Sequence, residues 1–542
     1  MSSIDWIILC VTLAGIVIYG IYKSRTSKDL DGYFLSNRSL PWYLVLLSIM
    51  GTQASAITFL TGPGQAYSDG MRFVQYYFGL PLAMIVISIF FVPVFNRLKV
   101  YTAYEFLENR FDLKTRTLTS FLFLLSRGLS TGISIFAPSI VLSSLMGWNI
   151  YYTNLVMGGL LIIYTMTGGA KAVAHTQKLQ MIIVFVALFI VGYLAVKLLP
   201  DAIGFTDALS KSGEMGKMNI ITTGFTEKGF DWKDKYNIWS GLIGGFFLAL
   251  SYFGTDHSQV GRYLTAKDVK ESRRGLLMNG LVKVPMQFFI LLLGILIFSF
   301  YQFNKAPIYF DQAKVTVAKQ TVYKDSLTAL ENRYDLALNA GALQESKELR
   351  TQFRVVLQKA LPGQDTNDNN YIFLRFVMDY LPQGLIGLII AIIFLASWGS
   401  IAAALNSLAA VTVVDFHKKF FVKEDTGAKD YKVSQWYTFG WGVFCIIIAM
   451  FAQNIGNSLI EAVNILGSLF YGVILGIFLV ALGMKFIRGH AVFYAAVISE
   501  ILIILIYQQE IVSFLWLNAI GAILVIFFAT VFQLVGKQKA LQ

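Results

Sequence analysis

The stretch Gly399–Ser407, near the end of a long apolar segment, carries residue types that could bind a metal cation. It reads GSIAAALNS, so small side chains leave the backbone accessible and Ser400 adds a hydroxyl. Carbonyl and hydroxyl oxygens are hard donors, the type that alkali cations require. A cation in an apolar surrounding must be solvated by such groups. The stretch therefore indicates a cation site of the kind used by an ion-coupled carrier.

Three charged residues lie within other apolar segments. Arg127 follows the run LLS, Lys283 precedes Pro285, and Asp256 lies near a segment end. A charge in hydrocarbon is costly unless it faces a cavity or a partner, so each is a candidate functional residue. The Arg127 guanidinium suits a carboxylate ligand, with a structural pair or snorkelling as the alternative. Lys283 fits a buried pair as well as ligand contact.

Asp256 has a different expected role. We expect its carboxylate to pair with Arg262 or with a nearby basic residue of the cytoplasmic side, because these cations are close in sequence.

Two apolar segments are interrupted by polar and glycine residues. Residues 48–58 read SIMGTQASAIT, and residues 251–259 read SYFGTDHSQ. Irregular backbone at membrane depth is tolerated only where protein or a cavity satisfies it. Equivalent interruptions in two halves of a chain predict a transporter site built from inverted repeats. The alternative is that the small residues only allow close helix packing.

These residues must be positioned by membrane-spanning helices. The chain has 542 residues, of which 56% are hydrophobic and 14% charged, and its mean hydropathy is +0.62. This composition excludes an ordinary soluble protein. Apolar runs of about 20 residues can each cross the bilayer. They predict thirteen spans, which lie at 4–23, 42–62, 73–96, 117–146, 150–167, 176–199, 238–256, 275–301, 384–411, 434–452, 457–484, 490–507 and 513–535.

Lysine and arginine are concentrated in alternate short loops. They include Arg97, Lys99, Arg110, Lys114 and Arg116, and, after the seventh span, Arg262, Lys267, Lys270, Arg273 and Arg274. The opposite short loops carry almost none, with Arg72 as the main exception. Since this bias marks cytoplasmic loops, we predict an N-terminus outside and a C-terminus inside. The net charge of +12 is largely this excess, so it does not indicate a nucleic-acid partner.

Two polar segments interrupt the pattern of spans. Segment 303–371 is charged, rich in helix formers and poor in glycine, which predicts an external helical hairpin. Segment 200–236 is a shorter external loop. No nucleophile–base arrangement or metal-ligand spacing occurs in the sequence, which argues against an enzyme.

Several motifs resemble the sodium:solute symporter family, which includes sodium/glucose, iodide, monocarboxylate, multivitamin, proline and sialic acid carriers. They are YFLSNRSLPW at 33–42, YTAYEFLENRF at 101–111, GGAKAV at 168–173, QVGRYL at 259–264, LNS at 405–407 and VDF at 414–416. Ser55-Ala56 and Phe136-Ala137-Pro138 resemble the iodide, monocarboxylate and multivitamin branch more than the sugar branch. The resemblance spans residues 30–485.

The resemblance implies an all-α integral membrane protein of the leucine-transporter type with two inverted five-helix repeats. On this basis residues 1–41 form an extra N-terminal helix and a cytoplasmic loop. Residues 42–200 and 238–485 form the two repeats, separated by the external loop 201–237, and the second repeat holds the insertion 303–371. Residues 486–542 form C-terminal helices and a cytoplasmic tail.

The resemblance also implies a sodium site between the second span and the middle of the ninth. Its carbonyl positions fall on Gly51, Ala54 and Ala396, and its two hydroxyl positions on Gly399 and Ser400. The chain departs from the family here, because the first hydroxyl position is glycine. A second departure is Gln177, which stands where the family often has aspartate. Loss of one neutral hydroxyl ligand would weaken sodium binding by about 1–2 kcal/mol, roughly tenfold in affinity.

The substrate positions implied by the resemblance are Gln53, Thr58, Tyr77 and Lys283, with Ala249 also at a sugar-contact position and Tyr252 at the inner aromatic gate. Of the sugar contacts only the lysine is kept. Arg127 corresponds to an arginine that holds the substrate carboxylate in sialic acid carriers. Two cations, Arg127 and Lys283, favour an anion.

We therefore predict a multi-pass carrier of the plasma membrane, and of the inner membrane if the source is bacterial. It would couple sodium to a small organic solute, a carboxylate or an acidic sugar, by alternating access. The alternatives are a sodium-coupled sugar, inositol or vitamin carrier, a proton-coupled carrier, and a solute sensor that does not transport.

Overall fold

The computed structural model describes residues 1–23, 30–364, 366–421, 427–452 and 458–541. Residues 24–29 of the predicted N-terminal segment, and residue 457, where one span is predicted to begin, lie outside these ranges. The regular structure of the described residues is helical, as predicted, apart from a small hairpin of β1 (Phe225–Thr226) and β2 (Gly229–Phe230) in the segment predicted to be an external loop.

The α-helices follow the predicted order of spans and loops. They are α1 (Ser3–Lys23), α2 (Leu30–Leu35), α3 (Trp42–Gln53), α4 (Ala56–Asp69), α5 (Leu80–Val86), α6 (Val92–Leu98), α7 (Glu105–Arg110), α8 (Leu113–Met146), α9 (Ile150–Lys197), α10 (Phe205–Glu214), α11 (Gly245–Gly254), α12 (His257–Leu264), α13 (Val269–Phe303), α14 (Gln312–Ala318), α15 (Lys324–Asn339), α16 (Leu343–Ala360), α17 (Ile372–Tyr380), α18 (Leu385–Val411), α19 (Lys418–Phe420), α20 (Gly427–Phe451), α21 (Leu459–Gly483), α22 (Gly489–Gln508) and α23 (Phe514–Leu541).

Ten helical stretches in the described part of the chain are long and apolar enough to cross a bilayer. Three shorter apolar helices, Trp42–Gln53, Ile150–Met166 and Ser240–Gly254, add to them. An all-helical membrane protein is therefore confirmed. The number of thirteen spans and their orientation stay predictions.

The predicted spans 150–167 and 176–199 lie in one helical stretch, α9. The Tyr164 hydroxyl nevertheless lies 3.0 Å from Thr176 Oγ1. Twelve residues of straight helix would separate these side chains by about 18 Å, so the axis of α9 must bend sharply between them. The two arms of α9, Ile150–Met166 and Val173–Lys197, therefore form two separate apolar helices.

Both predicted interruptions are present. Helix α3 ends at Gln53 and α4 begins at Ala56, with Ala54 in a non-helical conformation (φ −83°, ψ 79°). Helix α11 ends at Gly254 and α12 begins at His257. The carboxylate of Asp256 accepts a hydrogen bond of 2.8 Å from the Ser258 amide and so caps α12.

Helix α18, which holds the stretch Gly399–Ser407, lies in the centre of the protein. All of its residues from Ile389 to Val411 are buried. It packs against α3, α4, α8 and α9, so it contacts both halves of the first interruption. A helix that is apolar all round is expected in such an interior position.

The insertion 303–371 contains the predicted helical hairpin. Helices α15 and α16 pack against each other around a small core of their own. That core contains Leu327, Tyr334, Leu349, Phe353 and Leu357. The external location of this hairpin stays a prediction.

Arg116 was predicted to lie in a cytoplasmic loop, where cations are usually solvated. In the structure its side chain is only 3% exposed. Its guanidinium pairs with Asp415, which is fully buried, and also with Glu108. Thr102 and Ser120 donate hydrogen bonds of 2.8 Å to the Asp415 carboxylate. This network joins α7 and α8 to the end of α18.

We expect Asp415→Ala to destabilise the protein by about 3–5 kcal/mol, because it leaves the Arg116 charge buried without its main partner. Thermal unfolding of the purified protein in detergent measures this loss. The control is Lys305→Ala, which breaks an exposed pair with Asp335 and should cost at most about 1 kcal/mol. Equal shifts in the two variants would contradict a structural role for the buried pair.

Candidate functional site

A cavity of about 110 Å³ lies between the two helix interruptions. Five of the six predicted substrate residues line it, and Ser400 of the predicted cation site lines it as well. The five are Gln53, Thr58, Tyr77, Arg127 and Tyr252. The structure thus brings together residues from α3, α4, α8, α11 and α18, together with the stretch that precedes α5.

Further polar residues of the cavity wall were not predicted. They are Thr52, Ser55, Tyr76, Thr131, Ser134, Asn464 and Tyr471. Thr131 and Ser134 follow Arg127 by four and seven residues, which places all three on one face of α8. Asn464 and Tyr471 have the same seven-residue spacing on α21. The spacing on α8 was a usable signal once Arg127 was a candidate.

Lys283, the sixth predicted substrate residue, does not line this cavity. Its side chain is 1% exposed, and its ammonium lies 5.8 Å from the centre of the Tyr77 ring. Lys283 therefore lies behind the cavity wall and contacts it through an aromatic residue. A direct contact with a solute would require Tyr77 to move.

The Arg127 guanidinium pairs with the Asp256 carboxylate, not with a free anion. Nε donates to Asp256 Oδ2 at 3.1 Å, and the Tyr471 hydroxyl donates to the same oxygen at 2.8 Å. The expected partner of Asp256, Arg262, was wrong: Arg262 is buried elsewhere, and its Nε and Nη1 make no hydrogen bond to described residues. The cause is tertiary, because Arg127 is 129 residues away in sequence.

Tyr252 covers the Arg127–Asp256 pair on one side. The Arg127 guanidinium carbon lies 5.2 Å from the centre of the Tyr252 ring, within cation–π range. The ring centres of Tyr252 and Tyr471 are 5.8 Å apart, and Gln259 Nε2 donates to the Tyr252 hydroxyl at 2.7 Å. These contacts hold the Arg127 guanidinium at the cavity wall. The Arg127 side chain remains 12% exposed, so it still reaches the cavity.

The predicted cation residues lie on two facing elements. Gly51 and Ala54 belong to the interruption between α3 and α4, and Ala396, Gly399 and Ser400 to α18, which packs on that interruption. Ser400 Oγ donates to the Ser397 carbonyl at 3.0 Å. Its lone pairs therefore stay available to a cation, and the remaining oxygens of the predicted site would be backbone carbonyls.

Gln177 of α9 bridges the same two elements. Its Nε2 donates to Thr52 Oγ1 and to the Gly399 carbonyl, both at 3.2 Å, and its Oε1 accepts from Ser48 Oγ at 2.9 Å. The Gln177 carboxamide thus lies at the contact between α3 and α18, where the cation site is predicted. Its amide group donates hydrogen bonds there.

The two departures from the family pattern, Gly399 and Gln177, are in direct contact. A Cβ at Gly399 would lie 2.6 Å from Gln180 Oε1 and 3.2 Å from Gln177 Cγ. A Cβ at Gly51 would lie 2.9 Å from Gln177 Cβ. A serine at position 399 would therefore require the end of the Gln180 side chain to move and Gln177 to shift by a few tenths of an ångström. Glycine at 399 leaves room for both glutamine side chains of α9.

Comparison with known proteins agrees with this geometry. The sodium-dependent multivitamin transporter of Oryctolagus cuniculus is 27% identical over 90% of this chain and 67% of its own length. The sodium/sialic acid symporter NanT of Aliivibrio fischeri is 24% identical over 97% of this chain and 92% of its own. The sodium-coupled monocarboxylate transporter 1 of Xenopus laevis is 25% identical over 90% and 68%.

The fold is shared with a solved structure. A sodium-coupled sialic acid symporter in a substrate-bound outward-open state superposes with a TM-score of 0.79 over 98% of both chains, at 22% identity. The model of one family matches residues 33–325 and 350–499, which is most of the sequence. The chain belongs to the sodium:solute symporter family.

Proposed function

We propose that the solute carried with sodium by this symporter is a small organic carboxylate. The observation that supports this most is the cavity between the two interruptions, where Arg127 presents a guanidinium among hydroxyl groups and Ser400 adjoins the cation residues. The predicted sodium residues Gly51, Ala54, Ala396, Gly399 and Ser400 remain part of this proposal. So do the substrate residues Gln53, Thr58, Tyr77, Arg127 and Tyr252, with Lys283 acting through Tyr77.

The cavity volume bears on the size of the solute. About 110 Å³ is open to the centre of a water-sized sphere, well above the roughly 10–15 Å³ that one water molecule needs on this measure. The cavity therefore has room for a small monocarboxylate in place of several water molecules.

A second candidate is a neutral, hydroxylated solute such as a vitamin or a sugar. Asp256 compensates the charge of Arg127, so the attraction for an anion must come from the remaining donors of the guanidinium and not from net charge. Hydroxyl groups of Thr52, Ser55 and Thr131 would serve a neutral solute equally well.

The proposed cycle uses the two predicted repeats, residues 42–200 and 238–485, with thirteen spans, the N-terminus outside and the C-terminus inside. The plasma membrane, in a bacterium the inner membrane, is the proposed location. Each interruption lies between two helices that are separately packed, which suits rocking of one repeat against the other.

We expect a sodium gradient to drive accumulation of labelled pyruvate in proteoliposomes, with choline in place of sodium giving only leakage. Equal uptake in sodium and in choline would contradict sodium coupling. Uptake driven by a proton gradient would show that protons are the coupling ion. Competition by unlabelled sialic acid, which is a carboxylate, and by glucose and inositol, which carry no charge, then separates the two solute candidates. Binding without uptake in any ion would indicate a sensor.

We expect Gln177→Glu to lower the sodium concentration for half-maximal uptake by at least about tenfold. The variant keeps the size of the side chain and replaces the amide, which donates to the Thr52 hydroxyl and the Gly399 carbonyl, by a carboxylate that attracts a cation. Tenfold is about 1.4 kcal/mol, well below the ~4 kcal/mol attraction of two charges 4 Å apart at an effective dielectric of 20.

The control for this variant is Ser400→Ala, which removes a proposed ligand and should raise the same concentration by about tenfold. Sodium dependences that are unchanged in both variants would place the cation elsewhere.

We expect Arg127→Ala to lose both solute binding and about 3–5 kcal/mol of stability, because Asp256 stays buried without its cation. The double variant Arg127→Gln/Asp256→Asn removes both charges and should recover most of that stability without recovering binding. Thermal unfolding and pyruvate uptake measure the two properties separately. Normal uptake by the stable double variant would remove Arg127 from the substrate site.

A further inference from the structure

A second polar cavity, of about 280 Å³, lies far from the one described above. Its wall is formed by the end of α4, the end of α13, the stretch around Lys217, and the hairpin of α15 and α16. We call it the hairpin pocket. On the proposed orientation it opens on the outer face of the membrane.

Four cations line the hairpin pocket: Lys217, Lys347, Arg350 and Arg354. The lining contains no carboxylate among the described residues. Two carboxylates lie next to it. Asp368 pairs with Arg354 at 2.6 Å and with Arg350 at 3.6 Å, and Asp69 interacts with Lys217. Four positive and two negative charges leave the pocket with a net charge of about +2, so it attracts anions.

Several donors of the pocket are not satisfied by the protein. The Tyr301 hydroxyl is buried without a hydrogen-bond partner among described residues, and so is Arg354 Nε. Tyr301 as a whole is only 3% exposed. Buried polar groups without partners are uncommon and call for an explanation. A ligand oxygen in the pocket would satisfy both groups.

Lys217 is held in place before any ligand arrives. Its ammonium donates to the Ser68 carbonyl at 2.5 Å and lies 5.1 Å from the centre of the Phe298 ring. Burial lowers the pKa of Lys217, and Lys347 lowers it further, while Asp69 acts in the opposite direction. An anion next to Lys217 would relieve the repulsion between the two lysines.

The pocket walls also contain aromatic rings that could cover the body of an organic ligand. Tyr67, Phe298, Tyr301 and Tyr334 line it, and Tyr67 packs edge-on to Phe298 with ring centres 5.3 Å apart. A simple inorganic ion would leave this surface unused. A ligand with a carboxylate and an apolar or hydroxylated body would use both the cations and the rings.

Part of the pocket lies outside the family match. The family match stops at residue 325 and resumes at residue 350, so Tyr334, Ser346 and Lys347 come from a segment outside it. The pocket is also connected to the interrupted helix, because Ser68 Oγ donates to Asn369 Oδ1 at 2.7 Å. Tyr67 lies nine residues along α4 from Thr58, which is about 14 Å of helix.

We propose that the hairpin pocket binds a carboxylate-bearing organic anion at the outer face of the transporter. The site is separate from the central cavity and rests on the proposed function only for its orientation toward the outside. An anion there contacts the outer end of α4, whose inner end forms the first interruption.

The experiment measures binding of sialic acid and of pyruvate by titration calorimetry in choline chloride, using the Arg127→Gln/Asp256→Asn variant to disable the central site. We expect at least one of the two acids to bind and glucose, which has no charge, not to bind. Adding Lys217→Gln and Lys347→Gln should weaken the binding of that acid by about tenfold for each lysine removed.

The control is Lys359→Gln, which removes an exposed lysine from the same helix, α16, outside the pocket. It should bind like its parent, and unfolding temperatures show whether each variant is folded. The proposal is overturned if neither acid binds at millimolar concentration, or if the pocket variants bind as tightly as the Lys359 control. The Lys217 and Lys347 variants can also be compared with the Lys359 control in the protein that keeps Arg127 and Asp256. That comparison tests anion binding in the hairpin pocket even if Arg127 has no role in transport.

Discussion

A bilayer core offers no water, so every backbone group at that depth must find its partner within the protein. Side chains from other elements hold the two helix interruptions in place. At the first, Gln177 reaches across from α9 to the Thr52 hydroxyl and to the Gly399 carbonyl of α18. At the second, Asp256 caps α12 and holds Arg127 at the same time. The central cavity is the space that these two satisfied interruptions leave between them.

The same requirement explains why charge in the cavity is balanced. Arg127 and Asp256 are each too costly to bury alone, and their pairing makes the site nearly neutral. Solute selection then depends on the direction of hydrogen bonds from Arg127 and the surrounding hydroxyls. The hairpin pocket differs in this respect, because its four cations lie outside the helical stretches that are long and apolar enough to cross a bilayer, where an excess of cations is tolerated at lower cost.

The sequence predicted those features that depend on local composition. Runs of glycine, serine and threonine within apolar segments located both interruptions, and five of the six predicted substrate residues line the central cavity. It failed where partners are distant in the chain. Asp256 was assigned to a near neighbour, Arg116 was taken for a loop cation, and Lys283 was placed in the cavity instead of behind Tyr77. Gly399 and Gln177 were recognised as separate departures, and only the structure shows that they are in direct contact.

Ser400 lies where the proposed cation residues meet the solute cavity, and this position bears on the coupling between the two binding events. It belongs to the proposed cation residues and also to the wall of the solute cavity. Two ligands that share a wall residue cannot bind independently, since each changes the hydroxyl that the other contacts. Linkage then requires reciprocity: the factor by which sodium strengthens solute binding equals the factor by which the solute strengthens sodium binding. If sodium and the solute both contact Ser400, a single hydroxyl contributes to the coupling in both directions at once.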